Sequence, residues 1–289
     1  MVIEISMRIL VGVWYIIVMI MPRYFHMPLG KLLGRIFLMV PVRKRKIAIK
    51  NISLCFPHET KAQHEALLVE NAVMVGRAFF DMGIAWFWSG RCIQSYLPYR
   101  IDGLSNLQNR VDGRGVLLLF KHSLHFMLDA RVLSLHHEIY GVTRDVKNST
   151  YINDLYMQKR LHVCKEIVRP NEPLKMVRWL KQGKTLCYAM DHDYGLESSV
   201  VIKFFGVPAA TIKAPYKIWK MTQCHIFVLD SFYEDNGTLV LQINAHKPEA
   251  QSEKIFLQAL NEVTAAQIRE NPREYYWYYS RFKSTKLYQ

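Results

Sequence analysis

The stretch from Gly113 to Asp129 limits the fold most narrowly. A turn, Gly113-Arg114-Gly115, leads into five continuous apolar residues, Val116 to Phe120. That run has the length and glycine boundary of a buried strand rather than of a helix. His122 follows at once, and His125 and Asp129 come next in a segment that reads as helix. Counted from His122 the three polar residues fall at offsets 0, 3 and 7, which share one face of an α-helix. A histidine near a carboxylate at the carboxyl end of a buried strand stands where an open α/β sheet places a general base. His-x-x-His and His-x3-Asp also arise by chance, so the triplet alone does not define a site.

The rest of the chain repeats this alternation. Strands are expected at Tyr99 to Gly103, His137 to Val142, Glu166 to Val168, Gly183 to Met190, Val200 to Phe205, Ile226 to Ser231 and Thr238 to Asn244, the last after the turn Asp235-Asn236-Gly237. Helices are expected at Lys46 to Leu54, Lys61 to Trp88 behind Thr60, Asn153 to Leu161, Leu174 to Gln182, Ala209 to Thr222 and Ile255 to Asn271. This pattern predicts an α/β chain, with a mixed, largely parallel sheet flanked by helices in a single layered domain. No linker or repeat divides residues 23–289. Asp81, in the middle of an apolar helix face, needs a partner.

The N-terminus is of another kind. Ile9 to Met21 is apolar for 13 residues, a helical rise of only about 20 Å against a bilayer core near 30 Å. Adding Met1 to Arg8 makes the length sufficient. No small-residue cleavage site follows, since the next residues are Pro22-Arg23-Tyr24-Phe25. Residues 1–22 therefore read as an uncleaved membrane-anchor helix, spanning or deeply interfacial. Basic residues accumulate behind it, at Arg23, Lys31, Arg35, Arg43-Lys44-Arg45-Lys46 and Lys50, which by the positive-inside tendency keeps the body in the cytoplasm. The net charge of +14 suits an anionic membrane, an acidic carrier or a phosphorylated substrate. Nucleic acid is not expected, because no basic-aromatic stripe or DNA-binding motif is present. The five cysteines form no Cys-x-x-Cys pair, which argues against a disulfide framework and a zinc site.

Several blocks, in order, resemble the late (secondary) acyltransferases of lipid A, within the lysophospholipid acyltransferase superfamily. They are the N-terminal apolar segment, Asn51-Ile-Ser-Leu-Cys-Phe-Pro57, Ala78 to Trp88, Gly113 to His122, Leu180-Lys-Gln-Gly183, Asp191-His-Asp-Tyr-Gly195, Phe204 to Thr211 and Tyr276 to Lys283. The resemblance implies a bacterial inner-membrane enzyme with its catalytic domain facing the cytoplasm. It would move an acyl group from the phosphopantetheine thioester of a carrier protein to a hydroxyl of a lipid A precursor, with no bound cofactor and no metal. It also implies a His-x4-Asp/Glu dyad in which the histidine takes the acceptor's proton and the carboxylate orients the ring.

One departure stands out. His122 matches the family histidine, but five residues on stands Met127, which carries no charge. Asp129 serving His122, His125 acting as base with Asp129, and loss of the chemistry are the alternatives. The altered spacing turns the expectation toward the family's branch that transfers glycine to lipid A and so masks charge against cationic peptides. A fatty-acyl enzyme is the alternative, and an inactive homologue the second. Substrate-binding roles carry over, with less force, to Arg144, Asp191, His192, Asp193, Lys203 and Arg281, and Lys283 joins Arg281 as a candidate phosphate ligand.

Overall fold

A computed structural model describes residues 2–39, 42–109, 112–145, 149–248 and 252–288. The N-terminal segment folds as two helices where one was expected. Helix α1 (Val2–Ile20) ends before Pro22, whose missing N–H cannot continue the ladder; a 3-10 turn then leads into α2 (His26–Met39). The stretches Glu4–Ile20 and Arg23–Met39 are bent by 115°, and among the described residues no single helix is long and apolar enough to cross a membrane. After α3 (Val42–Cys55) comes the 27-residue α4 (Lys61–Phe87), opened by a capping box between Thr60 and Gln63.

Helix α4 holds the N-terminal pair. Trp14 and Val18 of α1 are buried among its aromatic residues, with the Trp14 ring 5.3 Å from that of Trp86. Helix α2 crosses it backbone to backbone, because a Cβ on Gly34 would stand 2.2 Å from the carbonyl oxygen of Ala72. Asp81 finds the partner it needs one turn back, Arg77, at 3.6 Å. The outer faces of α1 and α2 stay apolar and exposed, at Ile9, Leu10, Ile16, Ile20, Leu32, Ile36 and Met39.

The body then alternates: α5 (Gly90–Tyr96), β1 (Tyr99–Asp102), α6 (Leu104–Gln108), β2 (Val116–Phe120), α7 (Phe126–Ser134), β3 (Ile139–Val142), α8 (Thr150–Val163), β4 (Ile167–Val168), α9 (Pro173–Lys181) and β5 (Thr185–Ala189). It continues through β6 (Ser199–Phe204), β7 (Val207–Ile212), α10 (Ala214–Thr222), β8 (His225–Tyr233), β9 (Leu239–His246) and α11 (Glu253–Glu270). Seven strands form one sheet in the order β1-β9-β8-β2-β5-β3-β4, every pairing parallel except β8 with β9. This is the expected mixed, largely parallel sheet. Strand β2 is central and covered on both faces. Val116 and Leu118 join the core under α4 and α7, whereas Leu117 and Leu119 join the core under α9 and α11.

Two local expectations are corrected. Ala209 to Thr222 is not one helix: its first residues belong to β7, which pairs antiparallel with β6 as a separate two-stranded sheet. Phe205 and Gly206, both at positive φ (55° and 80°), make the tight turn of that hairpin, and the pairing overrides the helical bias of Ala209-Ala210. Helix α7 begins only at Phe126, with His125 as its N-cap, so His122 lies on the loop and its helical offset to Asp129 has no counterpart.

Candidate active site

Adjacent parallel strands end level with one another, and this places the first pair. Phe120 of β2 is in register with Ala189 of β5. Two residues past each strand end stand His122 and Asp191, side by side at the carboxyl edge where an open α/β sheet holds its ligands. Asp191 grips the histidine twice: its Oδ2 accepts the His122 backbone N–H at 2.9 Å, and its Oδ1 lies 2.6 Å from Nδ1. The Asp191 side chain is fully buried, whereas that of His122 is 18% exposed. Burial alone would raise the Asp191 pKa, but the charge and hydrogen bonds of His122 outweigh it and hold the carboxyl well below the usual carboxylate range. An ionised Asp191 fixes the tautomer with the proton on Nδ1, leaving the Nε2 lone pair for the cleft.

The loop that carries His122 is pinned from a second direction. The Tyr276 N–H donates to the carbonyl of His122 at 3.0 Å, and the Leu124 N–H donates to that of Glu274 at 2.8 Å. The same C-terminal segment supplies an aromatic stack. The His122 and His192 rings lie 3.6 Å apart and 3° from parallel, and Tyr279 covers the other face of His192 at 3.8 Å. Burial first, and the neighbouring His122 second, push His192 down to about 3, so it stacks as a neutral ring.

The second histidine has a different setting. His125 is buried with Asp129 at 2.7 Å from Nδ1 and Glu274 at 3.1 Å from Nε2. Asp129 also accepts hydrogen bonds from the hydroxyls of Ser123 and Ser231, at 2.8 and 2.7 Å. Burial would lower the His125 pKa, but Asp129 and Glu274 outweigh it and push it up to about 10. A ring with a carboxylate on each nitrogen has no lone pair to act as base. Asp129 is thus the carboxylate of His125 and not of His122, and Met127 is buried beside the cleft.

Of the residues given substrate roles, Asp191 and His192 are at the site, and Arg144 lines it with its guanidinium 4.2 Å from the centre of the Tyr194 ring. Asp193 is buried as a strap: it accepts from the backbone N–H and hydroxyl of Ser284 at 2.8 and 2.7 Å. Arg281 is buried too, donating to the Ala210 carbonyl at 2.6 Å. Lys203 is exposed on the β6 hairpin and lines none of the clefts at the site. Tyr279 and Phe126 were not anticipated; the aromatic run Tyr275 to Tyr279 was the only trace of the former.

Two clefts, of about 430 and 320 Å³, meet at His122, Phe126 and His192. Behind Phe120 and Phe126 lies a third space of about 90 Å³, largely apolar, walled by Ala130, Leu133, Ile139, Val163 and Leu229. Donor atoms of His122, Asp191 and His192 all lie within 4.8 Å of one another, close enough for a three-ligand metal centre. The 2.6 Å between Nδ1 and Oδ1 is nonetheless a hydrogen-bond separation, since two ligands of one zinc ion stand more than about 3 Å apart. The residues as placed fit proton transfer: a histidine oriented by a buried carboxylate and facing a cleft.

The chain has relatives among known proteins. Residues 2–284 match the family model described as bacterial lipid A biosynthesis acyltransferase. A lipid A biosynthesis acyltransferase of Haemophilus influenzae is 31% identical over 253 residues, 86% of this chain and 80% of the relative. The lipid A biosynthesis lauroyltransferase of Escherichia coli is 29% identical over 94% of this chain and 89% of its own length. The palmitoleoyltransferase of the same organism is 26% identical over 84% and 79% respectively. On this match the chain belongs to the bacterial lipid A biosynthesis acyltransferase family.

Proposed function

We propose that this protein transfers a fatty acyl group from a carrier-protein thioester to a hydroxyl of a lipid A precursor, with His122 as general base and Asp191 as its carboxylate. The observation that carries the fatty-acyl reading is the apolar space behind Phe120 and Phe126, which shares those two rings, Val142 and Thr143 with the smaller His122 cleft and offers a hydrocarbon chain contacts that a glycyl group would not reach. The relatives named for their acyl groups, lauroyl and palmitoleoyl, support the same reading. The glycyl expectation rested on a missing carboxylate at position 127, and Asp191 fills that role from another strand.

In this mechanism Nε2 of His122 takes the acceptor hydroxyl's proton as the oxygen attacks the thioester carbonyl. The tetrahedral adduct collapses with cleavage of the C–S bond, and the imidazolium returns the proton to the departing thiolate. Asp191 stabilises the imidazolium while it lasts, and Arg144 and Arg160 place positive charge in the smaller cleft. The exposed apolar faces of α1 and α2 rest on or in the membrane beside the lipid substrate; the inner membrane, with the body on its cytoplasmic side, is the location that fits such a substrate. Mass spectrometry of lipid A from cells with and without the gene tests the proposal: a gain of ~180–240 Da is expected, a gain of ~57 Da would mean glycine, and no gain would mean an inactive homologue.

A further inference from the structure

A separate concavity, of about 830 Å³, lies between α3 and the C-terminal segment and takes no part in the proton transfer. Arg43, Lys46 and Lys50 line it from α3, at the spacing that puts three side chains on one helix face, and Lys283 and Lys286 line it from the tail. None of its lining residues is acidic, and none of the five cations forms an ion pair with a described carboxylate. Its width is fixed by buried ties: Asn51 donates from one amide to the carbonyls of Trp277 and Tyr279, at 2.6 and 2.7 Å, and the Tyr288 hydroxyl donates to the Asn51 carbonyl. Lys44 donates to the Tyr278 carbonyl at 3.3 Å from the same helix.

Two features say what such a groove would hold. Arg43 in its wall stands four residues after Met39, which closes the exposed apolar face of α2 with Leu32 and Ile36, so the ligand the groove matches has hydrocarbon next to an anionic head. And Ser280 in its wall follows Tyr279, the outer ring of the stack on His192 and His122. We propose that the groove binds the phosphate groups of the glycolipid acceptor and holds its headgroup while the hydroxyl reaches His122; the nature of that acceptor rests on the function proposed above. Cations without a described carboxylate partner on two walls suit a compact, multiply charged phosphorylated head better than the broad acidic face of a carrier protein.

The test uses the full-length protein in neutral-detergent micelles and a bisphosphorylated disaccharide headgroup without acyl chains, titrated calorimetrically. The triple variant Lys46→Gln, Lys50→Gln, Lys283→Gln should bind it at least about tenfold more weakly than wild type, and Lys181→Gln equally well. The unphosphorylated disaccharide should bind both proteins alike, and the triple variant should raise the KM for the acceptor while kcat holds within about threefold. Equal affinity of wild type and triple variant for the phosphorylated headgroup overturns the proposal. So does loss of binding only to phosphatidylglycerol vesicles, which makes the groove a general membrane contact, or only to the carrier protein, which makes it a docking face. If wild type binds the headgroup but transfers nothing, the groove stands and the proposed reaction fails.

Discussion

Two histidine–carboxylate pairs stand three residues apart on one loop, and they are opposites. His122 has one carboxylate, one free ring nitrogen and a partly open side chain. His125 has two carboxylates, no free nitrogen and complete burial. The first can accept a proton and give it back. The second is locked as a cation that ties α7, β8 and the C-terminal segment together, since Glu274 also accepts the Tyr233 N–H at 3.0 Å. The number of carboxylates around an imidazole, more than their presence, separates a base from a brace.

The sharpest way to break the contrast is at His122. His122→Ala is expected to lower kcat/KM by about 10³-fold or more while leaving the thermal midpoint nearly unchanged. Asp191→Asn should cost about 10²- to 10⁴-fold, mostly in kcat, because the ring loses its tautomer and its counter-charge; activity within about fivefold of wild type would remove Asp191 from the mechanism. His125→Ala should do the reverse. It strands Asp129 and Glu274 in the interior at a cost of about 3–5 kcal/mol, seen as a drop in Tm of roughly 6–20 °C, while turnover per folded molecule stays within a few-fold.

A pH series separates the two further. The His125 pKa is raised in the folded protein to about 10, from an ordinary value of 6.5. Its contribution to stability is therefore fully present below pH 6.5 and is lost as pH rises toward 10. Urea midpoints should fall along that interval, and Glu274→Gln should move the fall to lower pH. The smallest effect concerns the position that first looked faulty. Met127→Glu placed in the Asp191→Asn background should leave kcat/KM within about threefold of Asp191→Asn alone, because the carboxylate proposed to serve His122 is Asp191, beyond β5, and not position 127. Rescue by more than that would restore the sequence-local dyad.

Much of this was legible from the chain alone. The apolar run before His122, the helix start behind Thr60 and the turn at Asp235 to Gly237 are local signals, and each produced its element. What the chain hid was non-local. Asp191 meets His122 only because Phe120 and Ala189 share a register across 69 residues, and no spacing rule reaches that far. The helical offset from His122 to Asp129 misled because Tyr276 and Glu274 hold the loop open from the far end of the chain. The N-terminal segment was read by hydropathy, which does not see that Gly34 lets α2 lie against α4 or that Pro22 divides the two helices.

Helix α4 also grips the tail: the Asn71 amide donates to the carbonyls of Arg273 and Tyr275, both at 2.8 Å. Residues 272–288 are thus part of what closes the site around His122. A variant truncated before Tyr275 would keep His122 and Asp191 but lose the Tyr276 backbone bond and the Tyr279 ring that settle their loop.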